Sequence, residues 1–236
     1  MQFVQPALPS RAREPRVMSV ISSVISAIIP NARREGRFDV VVDGKCVATL
    51  SLDAIERLQL ASGCDIGSVA ERVADEAAEL HVYDRALNML AFRARASAEL
   101  SRALVRKGAM RSVVNRVIAR LQEQGLLDDA AFAESFTRAK LLGAHHSRRR
   151  VQQGLAQKGV ARDVSDAAIA TVFENEAVDQ TALVERAARR KLRSLVKLEP
   201  MVRRRRLYAF LARRGYEAED IRRVMSELGE ATGLTD

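Results

Sequence analysis

The chain has 236 residues and a formal net charge of +9, with 47% hydrophobic but only 4% aromatic residues, no Trp, 12 Gly and 5 Pro. That is the balance of a helical protein, long enough for one large domain or a row of smaller ones. Cys46 and Cys64, in no CxxC pair, exclude a disulfide scaffold of the secreted kind and lead to the expectation of reduced thiols in a cytoplasmic protein.

The charge is uneven. Met1 to Arg85 carry 10 Lys/Arg against 12 Asp/Glu, whereas Ala86 to Asp236 carry 29 against 18. The basic part calls for an anionic partner, nucleic acid or an acidic protein groove, with a cationic surface serving only solubility as the plain alternative.

Taken in order, VMSVISSVISAII (Val17 to Ile29) is apolar and follows Arg11, Arg13 and Arg16. Its four serines, the missing small-x-small cleavage site and a length below the roughly 20 residues of a span argue against export or membrane crossing. Residues 1–34 are therefore expected to form a poorly ordered arm or an added short element. In RFDVVVDGKCVATLSL, Phe38, Val40 and Val42 alternate, Asp43-Gly44 signals a tight turn, and Cys46, Ala48 and Leu50 alternate back, which predicts a two-stranded hairpin. Ser51 or Asp53 then caps a short helix through Ile55 and Leu58, and Val69 to Leu80 reads as a further helix. Residues 35–80 form a small α+β region on this reading.

The remainder is organised by a recurring helix stop. LVRKG ends at Gly108, LAQKG at Gly159 and LARRG at Gly215, at steps of 51 (104 to 155) and 56 (155 to 211) residues. A cation in the last turn followed by glycine marks a helix C-terminus, because glycine accepts the left-handed backbone and the cation faces the carbonyl end of the dipole. Nine, ten and thirteen residues beyond each glycine stand Val117, Ile118 and Leu121, then Ala168, Ile169 and Val172, then Val224, Met225 and Leu228. These positions share one helical face. The expected fold is mainly α: tandem three-helix repeats at 81–128, 129–180 and 181–236 in an elongated array, preceded by the β-hairpin plus helix. Units of this size bury too little surface alone, so neighbours must stack.

The basic residues sort by helix face. On a helix from Thr181 to Lys197, Val184, Ala188 and Leu195 share one side, and Arg186, Arg189, Arg190, Arg193 and Lys197 share the other. In the run from Arg203, Arg205 points most clearly outward while Arg203 lies over apolar surface. Arg149 and Arg150 point away from Val151 and Leu155. Lys107, Lys158 and Arg214 are helix caps first and contact candidates second. One of Asp128-Asp129, Asp129 by preference, is expected to cap the helix carrying Phe132, rather than to bind metal. His145-His146 read as surface histidines, since no further His/Cys cluster accompanies them. No Gly-rich phosphate loop, nucleophile elbow or catalytic pairing is found, so no enzyme, no cofactor and no metal are expected.

The segments ALNMLAFRARASAEL, LVRKG, GLLDDAAFA, LAQKGV and FLARRGY together resemble the RecX family, regulators of the RecA recombinase, over Tyr83 to Leu228. The hairpin VVVDGKCVATLSLDAIERL resembles the family's N-terminal portion. The resemblance implies a cytoplasmic, monomeric protein of tandem three-helix modules that lodges in the groove of RecA filaments on DNA. It also implies inhibition of their ATPase and strand exchange, in homologous recombination, DNA repair and the SOS response. It adds Arg93 and Arg95 to the contact candidates. Where the family has Arg-Pro-Arg-Ser-x-x-Glu-Leu, this chain has Arg93-Ala94-Arg95-Ala96-Ser97-Ala98-Glu99-Leu100. Ala96 removes the serine that would complete a capping box with Glu99, and Ser97 is expected to cap instead. The alternatives are a helical-repeat protein that binds DNA directly and competes for the strand, and an adaptor for another acidic partner.

Overall fold

A computed structural model describes residues 24–232. The chain divides into two compact units, 1–80 and 81–236.

The first unit holds three antiparallel strands, β1 (Ile25–Pro30), β2 (Arg37–Val42) and β3 (Lys45–Ser51), in that order. Asp43 and Gly44 turn the expected hairpin with positive φ at both positions, 50° and 71°. Strand β1 lies in the stretch expected to be a poorly ordered arm or an added short element, and it is the second of these. Ile25 is buried, its carbonyl accepts from the Gly63 amide at 2.8 Å, and the apolar run pairs along β2 from Val42 to Phe38. The earlier part of the expected arm lies outside the described residues. A second difference concerns Cys46. Val40 pairs with Ala48 but Val41 with Cys46, so a bulge adds one residue to β3, breaks the alternation and leaves Cys46 exposed. Ser51 caps α1 (Leu52–Arg57), its Oγ accepting from the Ala54 amide at 3.3 Å. Ile25, Val40, Leu50, Ile55, Leu58 and Val73 share the core of this unit.

The next helix is α2 (Ala70–Phe92), one continuous element where two were expected. No glycine or proline interrupts the sequence between Gly67 and Phe92, so nothing stops it.

In the second unit, α2 from His81 onward, α3 (Ser97–Arg106) and α4 (Arg111–Glu123) surround a core of Val82, Tyr83, Leu100, Leu104, Val117 and Leu121. Helix α5 (Asp129–Arg138) runs into a π-helical turn (Ala139–Gly143) and is followed by α6 (Arg148–Lys158) and α7 (Arg162–Asn175). Leu141, Val151, Leu155, Ile169 and Val172 fill their core, together with Ala96 from before α3 and Leu183 from the helix after α7. The third set is α8 (Gln180–Arg193), α9 (Pro200–Arg213) and α10 (Ala218–Thr232), packed on Val184, Ala188, Leu207, Leu211, Ile221 and Val224.

The recurring stop is the same structure three times. Gly108, Gly159 and Gly215 have φ of 89°, 85° and 84°. In each, the glycine amide donates three residues back and the following amide five back, to Leu104, Leu155 and Leu211. This double closure is the Schellman motif, and it satisfies carbonyls that the helix end would otherwise leave open. The last two stops also serve as joints. A Cβ at Gly159 would lie 2.5 Å from the Ala98 Cβ in the first turn of α3, and one at Gly215 would lie 2.7 Å from the Ser147 Oγ ahead of α6. Ser147 donates its amide to the Arg214 carbonyl at 3.0 Å and its hydroxyl to the Gly215 carbonyl at 2.7 Å. Each of these stops therefore seats on the start of the corresponding helix one module earlier.

Candidate functional site

Two clefts in the second unit gather most of the expected contact residues. The first, about 570 Å³, is lined from α3 and its approach by Arg93, Arg95, Arg102 and Arg106, and from the π turn, α6 and the segment between them by Lys140, His146, Arg150 and Lys158. Seven lysines and arginines thus face one carboxylate, Glu99. Glu99 Oε2 accepts from Lys158 Nζ at 2.9 Å, while Oε1 takes a short bond from Arg93 and lies 3.5 Å from Arg95 Nη1. The Arg93 hydrogen bond outweighs partial burial and holds Glu99 at a pKa of about 2. Glu99 is thus ionised at neutral and mildly acidic pH and ties the approach to α3 to the second helix stop. Phe136 lies at the cleft with Lys140 and Lys158 over its ring, at 5.4 and 5.9 Å. Gly154 leaves room for that ring: a Cβ there would meet Phe136 at 2.9 Å.

The second cleft, about 620 Å³, is lined by Arg186, Arg189, Arg190 and Arg193 of α8, with His145. The arginines stand opposite the buried Leu183, Val184, Ala187 and Ala188, as helical spacing requires. Lys197 does not join them. Helix α8 stops at Arg193, the Ser194 hydroxyl donates to the Lys191 carbonyl at 2.8 Å, and tight turns through Leu195 and Leu198 lead to Pro200. The stripe is therefore four residues long. Arg189 is bonded to Glu185 one turn away.

The histidines connect the two clefts. The π turn, closed by the Ala144 amide to the Ala139 carbonyl at 3.2 Å, shifts the chain out of helical register. His145 at φ 49° then lines the arginine cleft, and His146 lines the other. Both are half-buried, which corrects their reading as surface residues. Burial first, then Arg190, Arg214 and Arg186, lowers the His145 pKa; burial, Arg214, Lys140 and Arg150 lower that of His146. Arg214 rests over Phe210 at 4.5 Å, so the cation of the third stop acts on both rings. Tyr216, pushed up to a pKa of about 12 by burial, donates its hydroxyl to the His145 carbonyl at 3.0 Å.

Other expected residues lie apart from the clefts. Arg149 is exposed and paired with Glu217 at 3.0 Å, and Arg205 is exposed on α9. Lys107 is the exposed C-cap of α3, its carbonyl accepting from Arg85 at 3.2 Å. Arg102, Arg106, Lys140 and both histidines were missed in the sequence. The signal available for Arg102 and Arg106 was their place on the outer face of α3, four residues apart.

The acidic pair also differs from expectation. Asp128, not Asp129, caps α5, its Oδ1 accepting from the amides of Ala130 and Ala131 at 2.8 and 3.0 Å. Asp129 instead accepts from the Ser97 amide at 2.7 Å and so caps α3 from 32 residues away. Ser97 does not cap, since it is already the first helical residue, with Ala96 at the N-cap.

Fold and clefts define a class: a mainly helical protein of three repeated three-helix domains, with cation-rich, carboxylate-poor recesses that attract phosphate or carboxylate groups. The family models for the first, second and third three-helix domains of RecX match residues 83–121, 128–169 and 179–225. The chain is 35% identical over 163 residues to "Regulatory protein RecX" of Chlorobaculum tepidum, covering 69% of this chain and 98% of that one. It is 39% identical over 131 residues to the protein of the same name from Mycobacterium ulcerans, covering 55% and 74%. A crystal structure described as regulatory protein RecX superposes with a TM-score of 0.67 over 86% of this chain and 98% of that one, at 22% identity. The chain belongs to the RecX family.

Proposed function

We propose that this protein is a negative regulator of the RecA recombinase, binding the RecA–DNA filament in its groove and slowing ATP hydrolysis and strand exchange. The observation that carries the reading is the pair of cationic clefts, which together hold eleven lysines and arginines in the unit where the family's three domains match. A filament groove presents phosphates and acidic side chains, and arginines fixed on packed helices meet them without reorganising. Family membership supports RecA as the partner, because the relatives are named regulatory protein RecX and the motifs of this chain resemble that family of RecA regulators. The action is that of a binding protein without catalysis.

The direct test is RecA's DNA-dependent ATP hydrolysis. Substoichiometric protein should slow it, and an unchanged rate at saturating protein overturns the proposal. Arg189→Glu combined with Arg193→Glu should weaken filament binding and leave the helical circular dichroism intact. The same arginines favour a second reading, direct DNA binding that competes for the strand, and binding to RecA in the absence of DNA separates the two.

A further inference from the structure

The arginine cleft has a feature that a merely cationic surface lacks. Four guanidinium groups crowd one recess with only Glu185, bonded to Arg189, nearby on their own helix. Their mutual repulsion is sustained because the opposite face of α8 is locked in the core. His145 is fixed from both sides. Its amide donates to the Leu141 carbonyl at 3.1 Å and its carbonyl accepts from Tyr216, so the ring cannot leave with its backbone. Its Nδ1 is buried without a hydrogen bond of good geometry, although the nearby Leu141 carbonyl weakly favours the protonated ring, and Nη1 of Arg214 is buried without a partner. No Phe, Tyr or Trp is among the residues lining this recess, which suits a phosphate rather than a stacked base.

We propose that this recess holds a backbone phosphate of a nucleic-acid strand, with His145 taking a proton from solvent as the phosphate enters and donating it as a hydrogen bond. The inference rests on the reading of the protein as one that meets DNA, and it names the group the α8 stripe recognises. The charges facing His145 are Arg186, Arg189, Arg190 and Arg193 from α8, with Glu185 on Arg189, and Arg214 at the end of α9; the Tyr216 phenol stays neutral. All the cations disfavour imidazolium in the free protein. A bound phosphate reverses that field, so binding and proton uptake are coupled.

The test uses the full chain without RecA and a labelled oligothymidylate, followed by fluorescence anisotropy. The strand should bind about tenfold tighter at about pH 5.5 than at about pH 8, the worth of one charge-assisted hydrogen bond. His145→Asn, chosen because asparagine tolerates the left-handed backbone, should flatten this dependence, while His146→Gln should keep it. Arg190→Gln should weaken binding at both pH values and reduce the salt slope by about one. A pH dependence that survives in His145→Asn, or is absent from the wild type, overturns the proposal. So does equal competition by inorganic phosphate at the same total phosphate, which would remove the strand as the source. Because RecA is absent, these outcomes are read independently of the ATPase test: inhibition of RecA with pH-independent strand binding would sink the phosphate site alone.

Discussion

Gly108 and Gly159 have nearly the same backbone conformation but different surroundings. Nothing lies within 4 Å of a Cβ built on Gly108, whereas one on Gly159 meets the Ala98 Cβ at 2.5 Å. Gly108→Ala should therefore cost only the left-handed strain, about 1 kcal/mol. Gly159→Ala should add an overpacking cost of about 1–3 kcal/mol, because the joint with α3 must open. Chemical denaturation of the two variants checks the difference, and equal losses would mean that the joint yields freely. The stop itself is visible in the sequence, since a Schellman closure needs only a leucine, a cation and a glycine in register. The close approach is not, because Ala98 lies 61 positions before Gly159 and belongs to another module. The same limit applies to His145 and His146, whose cleft partners come from α8, α3 and α6.

At the scale of elements, α3 illustrates how a missing cap is replaced. Ala96 offers no side-chain oxygen, and Asp129 fills the place from the start of α5. Asp129→Ala should lower stability by about 1 kcal/mol, comparable to Asp128→Ala at the neighbouring helix. Hydrogen exchange distinguishes them: the first variant should expose the opening amides of α3, the second those of α5. Local rules correctly give one capping aspartate in this pair, but choosing between them requires knowing where α3 begins in space. Elsewhere the elements were readable where their cause is local, as in the Asp43-Gly44 turn and the apolar face of α10. Lys197 falls outside the stripe because the end of α8 is set by Ser194 and the turn towards Pro200, signals weaker in the sequence than an arginine spacing that continues the helical pattern to residue 197.

For the whole molecule, the cleft histidines and Glu99 respond to acid in separate pH windows. Unfolded histidines take up protons at about pH 6.5, while His145 and His146 resist doing so until lower pH. The folded state therefore loses stability as the pH falls below about 6.5 and gains nothing from these groups above it. Glu99 works further down: its ion pairs stabilise fully above 4.5 and are lost as the pH approaches about 2. The thermal midpoint should be flat between about pH 8 and 6.5 and then fall, and His145→Asn with His146→Gln should remove much of the first decline. A midpoint that rises on mild acidification would contradict the field attributed to Arg190, Arg214 and Lys140.

The seating of the last two stops on helices one module earlier gives the molecule a direction in time as well as in space. During synthesis the first turn of α3 leaves the ribosome well before Gly159, and Ser147 well before Gly215. The first and second modules therefore emerge with their joint surfaces uncovered, and each is completed from its C-terminal side by a residue that the next module delivers. A pause or cut between two modules leaves the earlier one with an open seam rather than a finished end.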